Sequence, residues 1–181
     1  MTTIKIENIV AYAKISELLD MELISEKLPN TSYNPDELNG VSIKFDDLKI
    51  ATMILSNGKI VCTGAKKIKD AESIIKKLAK QVKDIGFEIK KDYKVEIENV
   101  IVSTDVKQEL HLASIANALI LQPVDYEPEE FPGLVYRMEE LCAVVLLFSS
   151  GKIVCTGAKS IDDAKKAINE MVDKLASIGV L

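Results

Sequence analysis

Apolar residues at Ile68, Ala71, Ile74, Ile75, Leu78, Ala79, Val82 and Ile85 recur at spacings of three and four. That is the period of one helical face, and it predicts an amphipathic helix. Ile161, Ala164, Ala167, Ile168, Met171, Val172, Leu175 and Ile178 repeat the stripe near the end of the chain. Gly86 and Gly179 follow the stripes as C-terminal stops. Lys76, Lys77, Lys80 and Lys83 fall on the opposite face and read as a solvated surface. Elsewhere the pattern is that of strands: Lys5 to Ala13, Val41 to Phe45, Ile50 to Leu55 and Lys59 to Thr63. Asn57-Gly58 between the last two is a tight-hairpin signal, and Gly64 is expected to end the run. Ser16 is expected as the N-cap of a short helix reaching about Leu28. The stretch after Tyr33 is a loop, because Pro35, like Pro128 later, has no amide donor.

The pattern occurs twice. Ser56 to Lys66 returns as Ser149 to Lys159, with ten of eleven positions identical at an offset of 93. Tyr33 to Gly40 matches Tyr126 to Gly133 at the same offset, and Ile6 to Val10 matches Ile97 to Ile101 at an offset of 91. Two copies, residues 1–91 and 92–181, cover the chain. Two are too few for a solenoid. The expected fold is α+β: two pseudo-symmetric repeats forming one curved antiparallel sheet, with amphipathic helices covering one face.

The other face then needs an explanation. In the repeated strand, Ile60 and Cys62 point to the helices, and Lys59, Val61 and Thr63 to the open side. Asn8 and Val10 share that side, as do Asn99, Ile101, Val154 and Thr156 in the second copy. An apolar face broken by short amides and hydroxyls is either a binding surface or a second core face, buried by an oligomer or by a covering element. The pattern alone leaves both open.

Composition narrows the classes. Apolar residues are 48% and charged residues 28%, ordinary for a globular chain. The longest apolar run, Leu141 to Phe148, is too short to span a membrane. Three Cys and no signal peptide suggest a reducing compartment. The net charge of −5 counts against a nucleic-acid partner, but it is uneven: +1 over residues 1–90 and −6 over 91–181. Such totals do not reveal a locally basic edge. No catalytic constellation emerges. His111 has no Cys cluster beside it, so no metal or cofactor is expected. Cys62, Cys142 and Cys155 read as small buried hydrophobes. Ser56-x-x-Lys59 and Ser149-x-x-Lys152 lie in hairpins without the other motifs of a serine–lysine enzyme. The Gly58–Lys66 segment has the wrong spacing for a phosphate loop. A ligand-binding or protein-interaction module on a duplicated α+β sheet stands as the alternative to a nucleic-acid binder.

The doubled Ser-x-Gly-Lys-Ile-Val-Cys-Thr-Gly-Ala-Lys block, the Tyr126–Arg137 stretch and the paired Glu-Asn starts resemble the TATA-box-binding protein family in its short archaeal form. The resemblance covers nearly the whole chain. It implies a saddle of ten strands gripping A·T-rich promoter DNA in the minor groove, as a general transcription initiation factor and not an enzyme. The family is itself a standard example of minor-groove bending, so that mechanism enters with the resemblance. It implies base-edge contacts by Asn8, Asn99, Thr63 and Thr156, with Val10, Ile101, Val61 and Val154 packing beside them. Phosphate contacts fall on Lys44, Lys59, Lys66, Arg137, Lys152 and Lys159. Wedges into base steps fall on Leu38, Leu55, Phe131 and Phe148, the leucines departing from the four-phenylalanine pattern. Transcription factor B is implied as a partner at Glu127, Glu129 and Glu130, and RNA polymerase indirectly. Location is expected to be cytoplasmic and chromosome-associated, or nuclear in a eukaryotic source. The lack of a long N-terminal extension suggests an archaeal source.

Overall fold

The structure, a computed structural model, describes residues 3–45 and 49–181. It divides into two compact units, residues 8–98 and residues 1–7 with 99–181. Every strand pairing within them is antiparallel.

In the 8–98 unit the sheet order is β2-β3-β4-β5-β1. The strands are β1 (Lys5–Lys14), of which residues 5–7 belong to the other unit, β2 (Thr31–Tyr33), β3 (Gly40–Lys44), β4 (Ala51–Leu55) and β5 (Lys59–Ala65). Two helices complete it, α1 (Met21–Lys27) and α2 (Ile68–Asp84). The second unit repeats the order as β6-β10-β9-β8-β7. Its strands are β6 (Glu96–Asp105), of which residues 96–98 belong to the 8–98 unit, β7 (Val124–Asp125), β8 (Gly133–Met138), β9 (Ala143–Phe148) and β10 (Lys152–Ala158), with helices α3 (Leu112–Ala118) and α4 (Ile161–Ser177).

The two stripes do what their spacing predicts. Ala71, Ile74, Ile75, Leu78, Ala79 and Val82 of α2 are buried, as are Ala164, Ala167, Ile168, Met171 and Leu175 of α4. They pack against the strand residues that alternate inward: Ile60, Cys62, Ile153 and Cys155 are all 0% exposed. Burying a side chain of this size contributes roughly 1.5–3 kcal/mol. Val61, Thr63, Val154 and Thr156, pointing the other way, stay partly exposed.

Three local expectations change. Ser16 is not a cap; α1 starts later, with Asp20 accepting from the Leu23 amide at 3.1 Å. The reason is upstream: the Ile15 and Leu19 amides donate to Gly58 and Ser56, at 2.8 Å each. Residues 15–19 are thus tied to the β4–β5 hairpin and cannot enter a helix. Gly64 does not end its strand; β5 runs through it to Ala65. Cys142 is exposed, not buried. It follows a 3-10 turn (Glu139–Leu141) in left-handed conformation, φ +48°, in the link between β8 and β9.

Candidate nucleic-acid interface

The open face of each unit is organised by a β-bulge. Between Ile9↔Ala65 and Ala11↔Cys62, β1 advances two residues and β5 three. The extra residue is absorbed at Gly64, φ +97°, where a Cβ would sit 2.2 Å from the Lys49 carbonyl oxygen. A bulge leaves an amide outside the ladder, and it needs a partner. The Gly64 amide donates to Asn8 Oδ1 at 2.7 Å. A backbone N–H can only donate, so the side-chain atom it meets is the oxygen, and the amide orientation is fixed. Nδ2 therefore points away and donates to Thr63 Oγ1 at 3.0 Å.

The second unit repeats this. The register shifts between Cys155 and Ala158, Gly157 has φ +93°, and its amide donates to Asn99 Oδ1 at 2.7 Å. Asn99 Nδ2 donates to Thr156 Oγ1 at 3.2 Å, a shorter contact than the 3.5 Å from that hydroxyl to Oδ1. Each Nδ2 has two hydrogens and gives one to threonine; each threonine oxygen accepts it and keeps its own hydrogen. Each half thus offers one amide and one hydroxyl donor, while one lone pair of its amide oxygen is engaged by the bulge glycine.

Apolar residues surround these donors. Directly paired residues share a face, so register gives the rows. Ser42, Met53, Val61 and Tyr12 form one row, and Lys44, Ala51 and Thr63 the next. In the second unit the rows are Val135, Leu146, Val154 and Ser103, then Arg137, Val144 and Thr156. Val10 and Ile101 lie half-buried on β1 and β6, two residues after Asn8 and Asn99.

At the outer part of each sheet a glycine makes room for a large apolar side chain. Gly40 faces Leu55, and a Cβ there would lie 2.7 Å from Leu55 Cδ2. Gly133 faces Phe148, and its Cβ would meet Phe131 at 2.7 Å and Phe148 at 3.2 Å. The two phenylalanine rings stand edge to face, centroids 5.9 Å apart. Leu38 and Phe131 are 45% and 37% exposed, although large and apolar.

Lys44, Lys66, Arg137, Lys152 and Lys159 are exposed. Lys59 is half-buried, paired with Glu98 at 2.9 Å. Glu127, Glu129 and Glu130 are exposed on the turn closed by the Glu130 and Phe131 amides, both donating to the Glu127 carbonyl at 2.9 Å. The same turn positions Phe131.

The family profile described as "Transcription factor TFIID (or TATA-binding protein, TBP)" matches residues 3–85 and 94–178. The chain belongs to the TATA-binding protein family. The TATA-box-binding protein of Pyrococcus horikoshii is 44% identical over 178 residues, 98% of this chain and 92% of the relative. That of Archaeoglobus fulgidus is 39% identical, covering 98% and 97%. The structure of Methanococcus jannaschii TBP superimposes with a TM-score of 0.84 at 40% identity, over 96% of this chain and 98% of that one.

Cys62 and Cys155 line the helix-covered core, and burial pushes both thiols up to about 11. They remain protonated near neutral pH and act as packing groups. His111 is exposed at the N-terminus of α3, its Nδ1 2.9 Å from Ser114 Oγ. No helix among the described residues is long and apolar enough to cross a membrane. Sequence reasoning missed the cluster of Tyr12, Glu96 and Glu98 around Lys59. A signal for it existed: at the offset of 91, Lys5 of the first copy becomes Glu96 of the second.

Proposed function

We propose that this protein is a general transcription initiation factor that binds A·T-rich promoter DNA in the minor groove and bends it. The observation that carries this reading is the duplicated Asn–Thr pair, its amide oxygen taken by a bulge glycine. In the minor groove, A·T and T·A pairs present only acceptors, whereas G·C adds the guanine amino donor. Asn8, Thr63, Asn99 and Thr156 supply donors to those acceptors. One lone pair of each amide oxygen is already engaged by a bulge glycine, and the apolar Val10, Val61, Ile101 and Val154 beside the donors offer a guanine amine no acceptor. Lys44, Lys59, Lys66, Arg137, Lys152 and Lys159 contact phosphates, which orients the protein without reading sequence. This reconciles a net charge of −5 with a DNA ligand: the burial is apolar and the cations only line the edge.

The repeats, 1–91 and 92–181, each bring a wedge pair. Leu38 with Leu55, and Phe131 with Phe148, enter base steps at the two ends of the site. Unstacking costs a few kcal/mol per step, offset by the surface the bend brings into contact. Leucine has no ring to stack on a base, so the kinks are unequal and weaker at the first-repeat end. Leu38→Phe with Leu55→Phe is expected to increase the bend and tighten binding, read by fluorescence energy transfer between labelled duplex ends and by titration. No change in either quantity would sink the wedge assignment.

Glu127, Glu129 and Glu130 form the docking site for transcription factor B, which brings RNA polymerase, and the protein works on the chromosome in the cytoplasm. It acts by binding and not by catalysis. One gel shift tests both arms. An A·T-rich duplex should lose affinity about tenfold or more for each central pair changed to G·C. Adding transcription factor B should supershift the wild-type complex but not that of Glu127→Lys with Glu129→Lys, whose DNA binding persists. Equal binding to both duplexes overturns the DNA reading, and an intact supershift overturns the partner site.

A further inference from the structure

The two repeats wire the same three corresponding positions differently. In the 8–98 unit, Lys59 Nζ lies 2.9 Å from Glu98 Oε1 and 4.0 Å from the centre of the Tyr12 ring. The Tyr12 hydroxyl donates to Glu96 Oε2, and that carboxylate raises the phenol's pKa. One ammonium is therefore met by the Glu98 carboxylate and by the negative face of an aromatic ring whose hydroxyl is held by a second carboxylate. In the other unit the corresponding residues are Lys152, Glu7 and Ser103. There Glu7 accepts from Ser103 Oγ at 2.7 Å and pairs with Lys5 at 3.3 Å. Lys152 is exposed and makes no ion pair among the described residues. Asp105, which faces it across β6 and β10, instead accepts from the Lys107 amide and ammonium at 2.8 and 3.0 Å. The difference traces to two exchanges: Lys5, which pairs with Glu7, has as its counterpart Glu96, a second negative charge beside Glu98, and Ser103 has as its counterpart Tyr12, which brings the ring.

We propose that Glu98, backed by the Glu96–Tyr12 pair, is an internal counter-ion that holds Lys59 in the free protein and is exchanged for a DNA phosphate on binding. This rests on the reading of Lys59 as a phosphate contact. Lys59 then contributes less to affinity than Lys152, because its carboxylate must first be displaced and then left beside the phosphate backbone. The pair also blunts the salt response. Added salt weakens DNA contacts but also weakens the hold of Glu98 on Lys59, so the two effects partly cancel.

The test is a double-mutant cycle read by fluorescence anisotropy on the A·T-rich duplex, from about 0.05 M to about 1 M salt, where the screening length falls to about 3 Å. Glu98→Gln keeps shape and removes charge. It should bind about two- to fivefold tighter at low salt, the range of an exposed ion pair. The gain should fade as salt rises, with a dependence on log salt steeper by up to about one unit. In a Lys59→Gln background the same change should give no gain. Lys152→Gln should weaken binding more than Lys59→Gln. Unchanged or weaker binding by Glu98→Gln overturns the proposal. So does an equal gain in the Lys59→Gln background, which would mark Glu98 as a diffuse repeller of DNA. The functional reading is judged separately, by wild-type preference for the A·T over the G·C-centred duplex. Because the cycle can be run on either duplex, the two can fail independently.

Discussion

Converting both asparagines to aspartate, Asn8→Asp with Asn99→Asp, is expected to lower affinity for an A·T-rich duplex by more than about 100-fold while leaving the protein folded. The two side chains have the same shape. One carboxylate oxygen still accepts the Gly64 or Gly157 amide, so each bulge stays capped. The other oxygen replaces Nδ2 and draws in the threonine hydroxyl hydrogen. Each half then loses both outward donors and gains a negative charge facing groove acceptors. A well-placed base contact contributes about 1–3 kcal/mol of discrimination, and two halves are affected. Titration by anisotropy gives the affinity, and circular dichroism melting checks the fold. Binding within tenfold of wild type, in a protein that melts normally, would show that donor polarity is not what reads the groove.

Gly58→Ala should be the most damaging single methyl in the chain. The glycine has φ +80°, and a Cβ there would lie 2.1 Å from the Ser16 carbonyl oxygen and 2.4 Å from its carbon. Neither neighbour can retreat, because Ile15 beside it donates to the Gly58 carbonyl at 2.8 Å. Strained backbone and a backbone clash together should cost about 3 kcal/mol or more. For a chain of this size that is a fall in Tm of roughly 6–12 °C. Gly86→Ala is the control. Its φ is +108°, yet nothing lies within 4 Å of the added carbon. Only the local left-handed penalty remains, about 1–2 kcal/mol. Equal losses in thermal melts would mean that crowding against Ser16 is not the cause.

Much of the fold was legible because its signals are strong and local. The α2 and α4 stripes, the strand alternation that separates Cys62 from Thr63, and the doubled block around Gly58 and Gly151 all survive into the structure. What escaped depends on distant partners. Gly64 reads as a stop because glycine marks both strand ends and bulges, and only the register of β1 against β5 distinguishes them. Ser16 is as good a cap residue as Asp20; the hairpin that claims residues 15–19 decides between them. Strands β2 and β7, three and two residues long, carry too little alternation to see. Cys142 opens an apolar run, but the left-handed turn before β9 turns it outward. For the candidate site, strand alternation showed which residues share the open face, and their wiring was not visible. No pattern in the sequence says that Asn8 caps a bulge or that Lys59 is held by Glu98.

The capped bulge also bears on the entropy of association. An asparagine on an open surface samples several χ1 and χ2 wells, and locking it against a ligand costs about 0.5–1.5 kcal/mol. Here the glycine amide has already chosen the well during folding, in both halves. Those torsions are frozen before any ligand arrives, so contacts made through them lose little to ordering.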